Sequence, residues 1–217
     1  TTHHTNLLTL QWKCSRRMAT LFYLITHLVK FYLEGERIME MWKHRIFCVM
    51  GKKLNGSGIL VNNKRILTAA HLGFTLNEVY NIFGTNNRQF SVKCCYISNK
   101  LDFAVLQSDD LEDTSFRRDN FSLGRQYFIL SLHSNSIHYI GIPGARAGYS
   151  GGPVINKSDG LSRILLGGIH EMATESTIQE IMNGFVEQKY VRLLPLRVME
   201  AVYITELSVK LKNSNNE

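Results

Sequence analysis

Proline and cysteine are both scarce in this chain of 217 residues. It has 3 prolines against 16 glycines, and short runs of β-branched and aromatic residues recur, so many short strands are favoured over long helices. None of the four cysteines shows the C-x-x-C spacing of a zinc site, and no metal or organic cofactor is implied. A secreted domain would usually show a clearer disulfide set, so we expect a reducing, cytoplasmic compartment. The four are Cys14, Cys48, Cys94 and Cys95.

The chain also lacks a long hydrophobic run. Its most apolar segment, "MATLFYLITHLVKFYL" (18–33), has only 16 residues and contains His27 and Lys30. A membrane-spanning helix needs about 20 apolar residues, and no small-residue cleavage site follows the segment. We predict an amphipathic helix that packs against the domain or lies on a membrane or a partner. Its apolar positions at helical spacing are Leu21, Leu24, Ile25, Leu28 and Tyr32.

Acidic residues are few in the first 65 positions. This part has 11 Lys or Arg against 3 acids, whereas the whole chain has a net charge of +7. A basic leading segment can attract nucleic acid or an anionic membrane surface, although a solvated charged face is the alternative. The chain begins at Thr1 without a methionine, so we expect a fragment or a segment cut from a longer precursor.

Short strand-like runs, separated by turn residues, dominate the chain after Gly35. Two consecutive sets of roughly six strands predict an all-β fold of two packed six-stranded antiparallel β-barrels, with a helical extension before them and a helix after them. The expected divisions are an N-terminal basic helical extension (1–43), the first barrel with a connector (44–120), the second barrel (121–194), and a C-terminal helix with a polar tail (195–217).

Small residues surround one hydroxyl in "PGARAGYSGGPVI" (143–155). Glycines on both sides of Ser150 let the backbone turn sharply and direct N–H groups to the same place as the hydroxyl. A serine nucleophile needs a base, and neutral imidazole is suited to that role. His71 follows the strand-like run "RILTAA", and Asp102 opens the apolar run "DFAVL", where a carboxylate is costly unless it is hydrogen-bonded.

Three motifs in this order, "LTAAH", "LDFAVL" and "GYSGGPV", resemble the signatures of chymotrypsin-fold (trypsin-like) serine peptidases over about residues 44–207. The resemblance implies a serine endopeptidase in which His71 is the general base, Asp102 orients it and Ser150 is the nucleophile. It also implies an oxyanion hole made by the N–H groups of Gly148 and Ser150. The alternative is a protein that kept the fold and lost the activity.

Tyr149 stands where trypsin-type enzymes carry an acid, and the chain looks more like bacterial glutamyl endopeptidases, stress proteases and virus polyprotein proteases. "RAGYSGG" resembles the "RAGxCGG" of picornavirus proteases, with serine in place of cysteine. Gly144, six residues before the serine, replaces the acid that binds Lys or Arg in trypsins. The "GIH" ending at His170 resembles the strand whose histidine contacts a glutamate or glutamine of the substrate.

This resemblance predicts a preference for Glu or Gln before the cut bond. Ala145 departs from the pattern, because both groups of relatives usually have a threonine there. The alternative for His170 is a packed histidine without a ligand.

A second resemblance lies in the connector. "FRRDN" (116–120) resembles the "FRDI" segment with which picornavirus proteases bind RNA, and Arg117 and Arg118 beside an aromatic residue suit phosphates and a stacked base. The alternative is a solvated linker, since acidic residues surround the segment.

The expected setting is the processing of a viral polyprotein in the host cytoplasm. The alternatives are a cellular trypsin-like or stress-type protease, a catalytically idle RNA-binding module, and peripheral membrane attachment through residues 18–33.

Overall fold

The computed structural model describes residues 4–62, 64–113, 115–119, 127–133, 136–141, 150–168 and 191–203. The contacts divide the chain into two units, Thr1–Arg37 and Ile38–Glu217. Gly148, Gly144, Ala145 and His170, which the sequence predicts to take part in the site, lie outside the described residues.

A single long helix, α1, begins at His4 and ends at Trp42. It contains the predicted helix 18–33 and extends it at both ends. Many large apolar side chains of that stretch are exposed, among them Phe22, Leu28 and Leu33. In the part of the chain that the structure describes, no helix is both long and apolar enough to cross a bilayer.

Six antiparallel strands after α1 form a closed barrel, as the sequence predicts. The barrel follows the strand order β1-β2-β3-β6-β5-β4. Alternating apolar residues fill its interior, and fully buried examples are Ile46, Ile66 and Leu106. The strands are β1 (Ile46–Met50), β2 (Asn55–Val61), β3 (Arg65–Ala69), β4 (Val79–Phe83), β5 (Gln89–Ser98) and β6 (Phe103–Gln107).

Six further strands form a second sheet, of order β12-β11-β10-β8-β9, with β7 beside β11. The prediction of a second closed antiparallel barrel is not confirmed. In the described residues this sheet is open, because β9 and β12 form its two ends without pairing and β7 is a parallel strand of two residues. The strands are β7 (Arg117–Arg118), β8 (Tyr127–His133), β9 (Ser136–Gly141), β10 (Pro153–Asn156), β11 (Gly160–Gly168) and β12 (Val191–Pro195).

A second helix, α2, follows β12 directly and covers 196–203 of the described chain. It agrees with the helix expected after Pro195, and Leu196 and Met199 are buried. The described residues are therefore mostly β, with two α-helices and one closed barrel, and a second closed barrel is not confirmed.

A buried hydroxyl pair connects the barrel to the second sheet. The Oγ atoms of Ser57 in β2 and Ser131 in β8 are 2.8 Å apart, and both residues are fully buried. Thr68 in β3 donates its hydroxyl to the Ser57 carbonyl at 2.8 Å. Because buried polar groups are costly when unpaired, these bonds specify how the two sheets meet.

Candidate active site

His71 lies at the end of β3, in a short 3₁₀ helix, Ala70–Leu72. The antiparallel register pairs Ala69 at the end of β3 with Phe103 at the start of β6. Ala70 and His71, which follow β3, therefore lie next to Asp102, which precedes β6. The Ala70 N–H donates to the Asp102 carbonyl at 3.1 Å and continues the ladder to this point.

The carboxylate of Asp102 accepts two hydrogen bonds from His71. The backbone N–H of His71 donates to Oδ1 at 2.8 Å, and the imidazole Nδ1 lies 2.7 Å from Oδ2. Asp102 has a left-handed backbone with φ of 62°, a conformation that Asp tolerates better than most residues. A neutral imidazole that donates from Nδ1 keeps Nε2 as a free acceptor, which is the tautomer that a general base needs.

Ser150 lies three residues before β10. A Cβ built on Gly56 would lie 2.6 Å from the Ser150 carbonyl oxygen and 2.8 Å from the Leu72 side chain, so the serine is next to the short helix that carries His71. The Ser150 carbonyl accepts the Ser57 N–H at 2.8 Å, so the serine backbone is hydrogen-bonded to β2.

The residue after Ser150, Gly151, has φ of 89° and donates its N–H to the Leu165 carbonyl at 2.6 Å. A Cβ on Gly151 would lie 2.7 Å from the Thr68 hydroxyl, so this turn packs against β3 three residues before His71.

The Ser150 hydroxyl donates to the Leu166 carbonyl, at a long distance of 3.4 Å. No hydrogen bond joins Ser150 to His71 in this structure, in which both residues are described. Catalytic hydrogen bonds are often long or misaligned without substrate, so this geometry leaves the base role of His71 open. The structure thus brings the three predicted residues to one place, with the His71–Asp102 bond formed and the serine bond not formed.

One charged residue near this site was missed by the sequence analysis. Arg192 in β12 lies with Nη2 3.6 Å from Asp102 Oδ2. The run "YVRL" indicates only a strand, and nothing in it signals a contact with a residue 90 positions earlier.

Arg117 and Arg118 lie elsewhere, because β7 pairs with β11 at Gly160 and Leu161, the end of β11 opposite Leu166. Arg117 donates to the Ser158 carbonyl at 3.4 Å, and Arg118 pairs with Glu200 and stacks on Phe116. A cavity of about 400 Å³ lies beside them. Its lining includes Arg118, Asp119, Arg163 and Arg197.

Among the described residues, no group of three His, Cys, Asp or Glu side chains is arranged to hold a metal ion. The described site consists of an imidazole, a carboxylate, a hydroxyl and a guanidinium. Groups of these types can carry out proton transfer and nucleophilic attack by an oxygen.

The fold is similar to that of solved structures of serine proteases. The inactive form of the Rv3671c protease of M. tuberculosis matches at 13% identity with a TM-score of 0.58, over 76% of this chain and 89% of that chain. The chain has the chymotrypsin-like fold. The serine endoprotease of Yersinia pestis matches at 15% identity and a TM-score of 0.61, over 79% of this chain and 65% of that one.

The HtrA-type protease AlgW, solved with a tripeptide, matches at 10% identity and a TM-score of 0.60, over 77% of this chain and 62% of that one. The chain therefore spans just under two thirds of the Yersinia and AlgW chains. No family model matches the sequence, and no curated protein sequence matches it. The likeness is thus one of fold at low sequence identity.

Replacing Gly151 with alanine should destabilise the protein strongly. Its φ of 89° disfavours any side chain, and a Cβ there would lie 2.0 Å from the Ser57 carbonyl oxygen. We expect the free energy of unfolding to fall by about 2–5 kcal/mol, measured by urea unfolding.

Gly84→Ala is the matched control. Gly84 has no left-handed φ, and its added Cβ would meet its nearest neighbour, the Phe47 ring, at 3.4 Å. The control should change stability by less than about 1 kcal/mol. Equal effects of the two substitutions would contradict the packing described for Gly151.

Proposed function

We propose that this protein is a serine endopeptidase in which Ser150 is the nucleophile, His71 the general base and Asp102 the residue that orients the base. The observation that supports this most is the pair of hydrogen bonds from His71 to the Asp102 carboxylate, on a chymotrypsin-like fold and beside a serine. Asp102 fixes the imidazole tautomer and stabilises the imidazolium that forms when the serine proton is transferred.

The proposed reaction has two steps. The Ser150 oxygen attacks the carbonyl carbon of the substrate while His71 Nε2 takes the serine proton, and the same proton then passes to the leaving amine. Water next attacks the acyl-enzyme, with His71 again as base, and releases the acid product. This requires a rotation of the Ser150 side chain away from the Leu166 carbonyl, its acceptor without substrate.

The developing oxyanion needs N–H donors, and we assign these to Gly148 and Ser150 from the resemblance to the chymotrypsin-fold peptidases. One such donor contributes roughly 3 kcal/mol to transition-state stabilisation. The left-handed turn at Gly151 supports this assignment on one side, because it fixes the backbone that follows Ser150.

For specificity we propose Glu or Gln before the cut bond, with His170 as the side chain that binds it and Gly144 and Ala145 as further pocket residues. This part rests on the resemblance of the motifs alone. The setting we propose is processing of a viral polyprotein in the host cytoplasm, and a cellular stress-type protease is the alternative. The likeness to bacterial HtrA-type proteases is a reason to keep that alternative.

Cleavage-site profiling tests the activity and the pocket together. The purified chain should cut a proteome-derived peptide library after Glu or Gln, with new termini identified by mass spectrometry. Ser150→Ala and His71→Ala should abolish the cuts. Asp102→Asn should lower kcat by roughly 10⁴-fold, since asparagine stabilises the wrong imidazole tautomer. His170→Ala should remove the preference without removing all cleavage.

Ser158→Ala is the matched control, because Ser158 is exposed and its side chain makes no hydrogen bond in the described residues. This variant should cut like the unchanged protein. Cuts that depend on Ser150 but follow residues other than Glu or Gln would contradict the proposed specificity and support the proposed protease activity. Absence of any Ser150-dependent cut would overturn the proposed activity.

A second candidate function is RNA binding at the arginine-lined cavity next to β7. Burial lowers the pKa of the Arg163 guanidinium, and the neighbouring charge of Arg197 lowers it further. Cations held this close are stabilised by a bound anion, and RNA phosphates supply one. Asp119 and the Arg118–Glu200 ion pair oppose this attraction.

RNA binding is tested by fluorescence anisotropy of a labelled single-stranded RNA with the Ser150→Ala protein. We expect steep salt dependence, and Arg197→Gln should reduce the slope of log K against log salt by about 1. Arg88→Gln, which removes an arginine stacked on Phe90 in the barrel, is the control. No binding at low salt would eliminate this function.

A peripheral membrane contact through residues 18–33 is supported by the exposed apolar side chains of α1. In helical projection Leu21, Phe22, Ile25 and Leu28 share one face, and no acidic residue precedes Glu34. A basic amphipathic helix of this kind suits an anionic lipid surface.

Leu28→Glu should weaken sedimentation of the protein with phosphatidylserine-containing vesicles at least several-fold. Tyr23→Glu adds the same charge at an equally exposed site, about 140° away around the helix, and should have little effect. If the two variants lose vesicle binding equally, the binding depends on charge and not on the apolar face. If the unchanged protein does not bind vesicles, the proposed membrane contact is wrong.

A further inference from the structure

Arg192 in β12 lies opposite Gly167 in β11, a residue that has no side chain. Arg192 pairs with Gly167 in the antiparallel register of β12 and β11, and a bulge lies between Leu165 and Gly167. Gly167 has φ of 147°, and a Cβ built there would have Arg192 Nη2, at 4.0 Å, as its nearest described neighbour. Among the described residues, the guanidinium of Arg192 is therefore the group that borders the position of a side chain at Gly167.

Arg192 also borders the candidate catalytic pair. Its Nη2 is 3.6 Å from Oδ2 of Asp102, the same oxygen that accepts the His71 Nδ1–H. This distance is longer than a hydrogen bond, so the contact is electrostatic. The Arg192 side chain is 49% exposed and that of Asp102 is 18% exposed, so the arginine can move while the carboxylate is held.

The charge of Arg192 acts against the proposed reaction while it stays near Asp102. His71 becomes positively charged as it takes the serine proton, and the negative Asp102 stabilises that charge. A second cation beside Oδ2 offsets part of the negative charge and repels the imidazolium. A carboxylate that binds the guanidinium would neutralise it and draw it away.

The proposed activity requires a substrate to reach Ser150, which lies next to β11. Beyond the Pro153–Ile164 pair, Leu165 is hydrogen-bonded to Gly151 and Gly152, and the Leu166 carbonyl accepts the Ser150 hydroxyl. Among the described residues, β11 has no β10 partner at Gly167 and Gly168. An extended peptide can add to the edge of a strand as a further strand.

Successive side chains of a strand alternate, so the side chain before the cut bond and the one before it point to opposite sides. We expect the second of these to lie on the side bordered by Asp102 and Arg192.

We propose that Arg192 forms a subsite for an acidic side chain at the second residue before the cut bond, and that occupancy of this subsite releases Asp102 to act on His71 alone. The proposal rests on the proposed protease activity for its catalytic half. Its binding half is independent of catalysis. An acidic substrate should therefore bind more tightly and also react faster once bound.

Matched peptides that differ only by Glu or Gln at this position test the catalytic half. The unchanged protein should cut the Glu peptide with at least a tenfold higher kcat/KM, with part of the gain in kcat. Arg192→Gln should abolish the preference and raise kcat on the Gln peptide. Arg192→Lys should keep part of the preference, and Arg192→Glu should favour a peptide with Lys there.

Lys53→Gln is the matched control for loss of one positive charge, since Lys53 is an exposed lysine near Gly73, which follows the His71 turn. It should leave the Glu-to-Gln ratio unchanged. The subsite would be overturned if Arg192→Gln kept the ratio of kcat/KM for the Glu peptide to kcat/KM for the Gln peptide. It would also be overturned if Lys53→Gln lowered this ratio as much as Arg192→Gln does.

Binding to the Ser150→Ala protein separates this inference from the proposed activity. The Glu peptide should bind at least severalfold more tightly than the Gln peptide by calorimetry, and the added change Arg192→Gln should remove the difference. If the two peptides bind equally tightly, the proposed subsite is wrong, even when the unchanged protein is an active protease. A difference that depends on Arg192 would support the subsite even if the unchanged protein cuts neither peptide, and that failure would count against the protease alone.

Discussion

The Asp102 carboxylate and its two hydrogen bonds from His71 are the contact on which the rest of the site depends. A mostly buried carboxylate is costly without partners, and here one residue satisfies both oxygens. The contact exists because β3 and β6 are neighbours in register, so it is a consequence of barrel closure. Any change that shifts these strands by one residue would separate the pair.

The first barrel and this pair could be predicted from the sequence because their signals are local. β4 and β5 alternate buried and more exposed residues, whereas β2, β3 and β6 are largely apolar runs buried along nearly their whole length. Both patterns are typical of strands when turn residues bound them. His71 and Asp102 each lie next to a strand end, in apolar runs where a polar side chain needs a partner. The motif around Ser150 indicated a constrained turn, and the left-handed Gly151 packed against Ser57 accounts for that constraint.

Other features depend on contacts between distant segments or on the full length of an element, which no short stretch of sequence indicates. Apolar spacing identified a helix only at 18–33, the middle of α1, because the stretches toward His4 and Trp42 are less apolar. The contact of Arg192 depends on strand register and on a bulge in a different strand. Counting strands does not tell whether the outer two of a sheet pair, so the sequence could not decide whether the second set closes, and β9 and β12 do not pair in the described residues.

Ser150 belongs to the second sheet by chain connection but is hydrogen-bonded to the barrel through the Ser57 N–H. Neither half of the fold alone holds the serine beside the imidazole. A chain in which only the barrel has folded therefore holds the His71–Asp102 pair without Ser150, and a chain in which only the second sheet has folded holds Ser150 without the imidazole. The proposed nucleophile and its base therefore come together only on a chain in which both halves of the fold have formed.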